Sequence, residues 1–137
     1  MNKKSLIKCL EQIVADIELR KTVNYGDRSS VRRYNAAYDR IEKNVKYIEN
    51  NYPDQLHVFT DLLFCPNQSV SYTCACMILN VLKCSSKMKR TALDEVKRQL
   101  AAGQLDALTE VYLPYIIQEW EEIIADLEES EKRQTNY

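Results

Sequence analysis

The sequence predicts an all-α fold, with about six helices stacked as antiparallel hairpins in one domain over residues 1–137. Three observations point there. Glycine and proline number only 2 and 3, too few turn-formers for a many-stranded sheet. Apolar residues recur three or four apart in one stretch after another, the period of a helix with one buried face. The links between those stretches are short, roughly three to six residues, which turns sequence neighbours back on each other. A chain of 137 residues, 45% hydrophobic and 28% charged, can build a single core of the soluble globular kind.

Each element follows from its own residues. Leu6, Leu10, Ile13, Val14 and Ile17 form one stripe of a first helix, from about Asn2 to Val23. Asn24–Asp27 ends it, and Gly26 is suited to the left-handed conformation that follows many helices. Ser29 or Ser30 is placed to cap the second helix. There Val31, Tyr34, Tyr38, Ile41, Val45 and Ile48 follow steps of 3, 4, 3, 4 and 3, a heptad seam and the strongest periodic signal in the chain. Pro53 stops that helix, because proline disfavours helical geometry at the preceding Tyr52.

A short third helix is expected from Pro53 to Phe64, with Leu56, Phe59, Leu62 and Leu63 inward. After a break at Pro66, Ser69 is positioned to cap a fourth helix carrying Val70, Cys74, Met77, Ile78 and Val81. A fifth runs from about Lys87 to Ala102 on Leu93, Val96 and Leu100, and Gly103 closes it. The last helical region covers about Leu105 to Lys132. Its apolar side is Leu108, Val111, Tyr112, Ile116, Trp120, Ile123, Ile124 and Leu127. Pro114 lies inside it and is expected to kink or split it, since proline removes a backbone donor and crowds the preceding turn. From Glu131 the tail is polar and expected to fray.

Charge is unevenly spread. The net charge is −1, which nominates no nucleic-acid partner. Residues 1–50 carry 11 basic and 7 acidic side chains, residues 51–102 carry 6 and 4, and residues 103–137 carry 2 and 9. The acid therefore gathers at the C-terminal end. Lys8, Glu11 and Asp16 interrupt the apolar positions near the start, so no secretion signal is expected. No apolar run has the length of a membrane span. The five cysteines, an odd number, fit free thiols in a reducing cytoplasm.

The stretch Leu62–Leu82, "LLFCPNQSVSYTCACMILNVL", resembles one HEAT-type repeat. Leu62–Leu63 close a first helix, Pro66–Asn67 make the turn, and Val70, Cys74–Ala75 and Ile78–Leu79 begin and fill the second. Ser71 stands where that pattern usually has arginine. "VRRYNAAYDRI" and "YLPYIIQEW" are similar to a small bacterial HEAT-like family of unknown function, with Asn35 and Trp120 at its Asn and Trp positions. The resemblance covers residues 27–122 and implies a HEAT-like α-α superhelix. It also implies kinship with immunity proteins that neutralise the toxins of neighbouring bacteria.

The chemical candidates are few. Cys74 and Cys76 form a C-x-C with Cys65 and Cys84 nearby, and His57 is the single histidine. Residues two apart on one helix point to different faces, and a zinc site needs about four converging ligands, so these thiols read as small buried hydrophobes. A nucleophilic cysteine would need a base, and His57 falls on the outer side of the third helix. Arg28, Arg32, Arg33, Arg40, Lys43 and Lys46 make the second helix basic, but Asp39, Glu42 and Glu49 interrupt that face. The neighbouring Tyr34 and Tyr38 fall on its seam and are expected to be buried. No glycine-rich phosphate loop occurs.

The residues read as a non-catalytic protein-binding domain, and the resemblance implies the finer role, a cytoplasmic immunity protein that occludes a basic toxin domain; no cofactor, metal, nucleic acid or membrane is expected. The expected docking surface is acidic: Glu119, Glu121, Glu122, Asp126, Glu128 and Glu129. Two alternatives stay open. One is a regulatory or scaffold adaptor of HEAT-like form. The other is a HEAT-like nucleic-acid enzyme such as a DNA-repair glycosylase, which calls for a basic concave groove with a catalytic carboxylate.

Overall fold

The structure, a computed structural model, describes residues 3–135. They form an all-α fold of six helices: α1 (Leu6–Arg20), α2 (Arg28–Asn51), α3 (His57–Thr60), α4 (Gln68–Asn80), α5 (Ser86–Ala101) and α6 (Ala107–Thr135). Short 3-10 turns, Pro53–Gln55 and Asp61–Phe64, flank α3. The expected third helix is therefore one α-helical turn between two tighter ones. Asn2 and the last two residues of the expected tail, Asn136 and Tyr137, lie outside the described residues.

α1 and α2 are antiparallel, and polar contacts along the hairpin record their register. Tyr52 donates its hydroxyl to the Lys4 carbonyl at 2.6 Å, and Lys4 Nζ bonds Gln12 and Asn44. Arg40 grips Asp16, with Nη2 2.8 Å and Nε 3.1 Å from Oδ1. Between these pairs Cys9, Ile13, Ile41, Val45 and Ile48 are fully buried. Each aliphatic side chain buried this way stabilises the fold by about 1.5–3 kcal/mol before entropy is counted. Val14 was expected inside but is 37% exposed, because the α1 stripe centres on Cys9, Ile13 and Ile17 and Val14 lies a third of a turn beyond it.

Several caps differ from the expected ones. Asp27 caps α2, accepting from Ser29 N at 3.0 Å, while Ser30 is buried and accepts from Asn24 N. Asn67 caps α4 through Ser69 N and Val70 N, in place of Ser69. Ser85 caps α5. Gly26 is not left-handed; among the described residues Gly103 alone has positive φ, 67°, where it closes α5 as predicted.

α4 is the centre of the domain. It is buried on nearly all sides, through Val70, Ser71, Thr73, Cys74, Ala75, Met77, Ile78 and Leu79. Its C-terminal end is finished by α5: the buried Lys89 ammonium donates to the carbonyls of Ile78 (2.7 Å), Leu82 (2.9 Å) and Leu79 (3.3 Å). Ser71, Glu95 and Gln99 bond to one another between α4 and α5. Phe59 and Leu63, from the region of α3, pack into the same core.

α6 runs 29 residues without a break, straight through Pro114, so the helix is not split there. It continues past Glu131 to Thr135, and the Glu131 carboxylate accepts from Ser86 N at 2.9 Å and from Ser86 Oγ. α6 packs antiparallel on α5 and parallel to α4. Leu113, Trp120 and Ile124 are its buried apolar side chains, with Trp120 Nε1 donating to Asn80 Oδ1 at 2.9 Å. No helix among the described residues is long and apolar enough to cross a membrane.

Candidate functional site

The apolar side read from the α6 sequence is wider than the surface that receives it. Leu108, Val111, Tyr112 and Ile123 are 65, 70, 42 and 57% exposed. The reason is geometric. α5 covers one flank of α6, the bodies of Trp120 and Ile124 meet the core, and the other flank faces away from every helix it could pack on.

That open flank borders a groove of about 950 Å³. One face of α4 makes the floor, with Tyr72, Thr73 and Cys76. The end of α1 and the first turns of α2 make one wall, with Arg20, Tyr34 and Tyr38. α6 makes the other, with Tyr112, Ile116 and Trp120, and Tyr25 stands at the mouth. Tyr34 and Tyr38 were expected to be buried on the α2 seam. They are half-buried, because α1 ends at Arg20 and the seam beyond that point faces the groove.

The aromatic wall is ordered around Arg20. Its guanidinium carbon lies 4.0 Å from the Tyr34 ring centre and 4.8 Å from that of Tyr38. Tyr25 meets Tyr34 edge-on, with ring centres 6.0 Å apart. Burial pushes the Cys76 thiol up to about 11, against the opposing pull of the Tyr72 hydroxyl and the Arg20 charge. Burial likewise raises the Tyr38 and Tyr72 hydroxyls. The groove therefore sets the raised hydroxyls of Tyr38 and Tyr72 and the raised Cys76 thiol beside the Arg20 cation, with Lys21, Asp106 and Glu119 also in its lining.

The six predicted docking acids are divided by the helix that carries them. Glu121 pairs with Lys97 of α5, which holds its carboxyl below the usual range. Glu128 pairs with Arg90 of α5 at 2.5 Å. These two are tied into the fold. Glu119 lines the groove, while Glu122, Asp126 and Glu129 are exposed. The acidic surface is thus narrower than the sequence suggested and continues the apolar flank toward the C-terminus.

The cysteines lie apart from this pattern. Cys74 is buried, its Sγ 3.3 Å from the Phe59 carbonyl, and burial pushes its thiol strongly up. His57 is exposed. Among the described residues no three His, Cys, Asp or Glu side chains converge on a common point as metal ligands. The position that usually holds arginine in the HEAT-type pattern, Ser71, is buried and donates to the Leu63 carbonyl at 2.8 Å. Compared with family models, curated proteins and solved structures, the chain matches none.

Sequence reasoning missed Arg20, Tyr25, Tyr72 and Cys76 as members of a site. A signal was present. Nine tyrosines against two phenylalanines is a strong bias toward rings with a polar edge, the kind that suits a half-wet surface.

Proposed function

We propose that the chain is a non-catalytic protein-binding domain, a cytoplasmic immunity protein that neutralises a toxin by docking on it and covering its active site. One observation carries this reading: the uncovered apolar flank of α6 beside a groove walled by tyrosine, tryptophan and arginine. Interface cores are enriched in these residues, and large contiguous apolar patches on an isolated chain mark contact surfaces. Glu119, Glu122, Asp126 and Glu129 extend the surface with negative charge, which steers a basic partner into register and speeds association. The HEAT-type resemblance of residues 62–82 supports the same class. The raised thiols support a binding role over cysteine chemistry, since the thiolate is the nucleophile.

The test is a titration of the purified chain with the protein encoded by the adjacent gene, alongside a cell-protection assay. The Leu108→Ser/Tyr112→Ser double variant should keep its circular dichroism spectrum and lose both affinity and protection. A folded double variant that binds and protects like wild type overturns the reading.

A further inference from the structure

Arg20 is held but not paired. Tyr34 and Tyr38 stack on its guanidinium and fix its plane. Its Nε is buried and has no hydrogen-bond partner, and Arg20 makes no ion pair with any described residue. The contrast lies one turn away on the same hairpin. Arg40 presents Nε and Nη2 side-on to both oxygens of Asp16, at 2.8–3.2 Å. That is the arrangement a guanidinium fork makes with a carboxylate.

Of the groove's carboxylates, Glu119 stands on the opposite wall and makes no ion pair with Arg20, and Asp106 is committed elsewhere, as is Glu18, beside Arg20 on α1. Asp106 accepts from Thr109 N at 2.9 Å and Thr109 Oγ1 at 3.0 Å, at the start of α6. Glu18 is bonded to Lys21 at 2.9 Å. The Nη atoms of Arg20 are not buried without partners as Nε is, so the fork keeps access to the groove it lines.

Resting on the binding role argued above, we propose that Arg20 receives a carboxylate from the docked partner: an aspartate or glutamate side chain, set among apolar residues, on the protein segment that fills the groove. The carboxylate meets the Nη atoms, the edge of the guanidinium that stays accessible from the groove. Apolar neighbours of that acid cover Leu108, Tyr112 and Ile116. Because the two rings already fix the guanidinium, little side-chain freedom is lost on binding. The partner surface is therefore mixed, with an acid for Arg20 and bases for Glu119 and Asp126.

A phage-displayed library of random dodecapeptides, panned on the intact chain, tests this directly. Recovered peptides should carry Asp or Glu at a fixed place among apolar residues. Their affinity should fall at least about tenfold on Arg20→Gln. Arg20→Lys should restore only part of it, because an ammonium keeps the charge but not the planar pair of Nη donors. Changing the peptide acid to its amide should weaken binding to wild type and have little further effect on Arg20→Gln. Peptides lost on Leu108→Ser/Tyr112→Ser but indifferent to both Arg20 variants sink the carboxylate inference and leave the groove standing. Peptides indifferent to all these variants, or no enrichment of acids, overturn it together with the groove as their docking site. A dimer by sedimentation equilibrium, dissolved by the same double variant, names a second copy as occupant and overturns it too.

Discussion

On its α5-facing flank, α6 carries Glu121, Glu128 and Glu131, each bonded to a side chain or backbone group of α5. On its groove-facing flank it carries Leu108, Tyr112, Glu119 and Ile123, and these stay largely open. The two flanks belong to one unbroken helix, yet the acidic one is satisfied within the chain and the apolar one is not. Polarity alone does not tell which side of a helix the fold has used. The number and place of its neighbours do: among the described residues α6 packs chiefly on α5, which covers one side of it and leaves the second side open.

The most severe way to break this comparison is to remove the residue that joins both flanks to the core. Trp120→Ala should destabilise the domain by about 3–5 kcal/mol, read from urea unfolding. Trp120→Phe keeps most of the packing and loses the bond to Asn80, for a cost nearer ~1 kcal/mol. An unchanged midpoint for the alanine variant would mean that α6 does not depend on that anchor.

Binding energy should lie on the other flank. Tyr112→Ala is expected to weaken partner affinity by about 2 kcal/mol or more, as aromatic anchors do, while shifting stability by no more than about 0.5 kcal/mol. Calorimetric titration and thermal melting of one preparation give both numbers, and a large loss of stability would place Tyr112 in the core instead.

Reversing Glu119, Glu122 and Asp126 to lysine sharpens the contrast among the acids. Association with a basic partner should slow, more so at low salt, whereas reversal of Glu121 and Glu128 should act on the melting temperature instead. Stopped-flow association at two ionic strengths separates the groups. Equal effects on association from both would erase the distinction between free and tied acids.

The smallest expected effect is a pH limb. Hydrogen bonding to Arg98, against the opposing effect of burial and with help from Gln99 and Ser71, holds the Glu95 carboxyl down to about 2. Its stabilisation is complete above the ordinary value of 4.5 and is lost as the pH falls from there toward about 2. Glu95→Gln should flatten that part of the stability profile in acid unfolding, and an unaltered slope would show that the network carries no such linkage.

The helices were largely legible, because periodicity records which residues share a face. The α2 seam from Ile41 to Ile48 and the α5 positions Leu93 and Val96 are buried as read. The caps were less legible. Asp27, Ser29 and Ser30 all offer an oxygen to a helix start, and only the path of the preceding chain decides which is used. The groove was not legible at all, since it joins residues from α1, α2, α4 and α6 that no local pattern links. Tyr38 and Tyr112 look like core residues until the shortness of α1 and the one-sided packing of α6 on α5 are known.

Lys89 carries a last consequence, and it concerns the order in which the chain assembles. α4 ends with no glycine, and its final carbonyls are satisfied by an ammonium that belongs to the next helix. Until α5 docks, the central helix has no finished end; until α4 forms, Lys89 has no acceptors for its buried charge. Neither helix is complete as an isolated segment. The pair should gain protection from amide exchange together, as one cooperative unit at the heart of the domain, with α6 added afterwards onto a surface that α5 has already set.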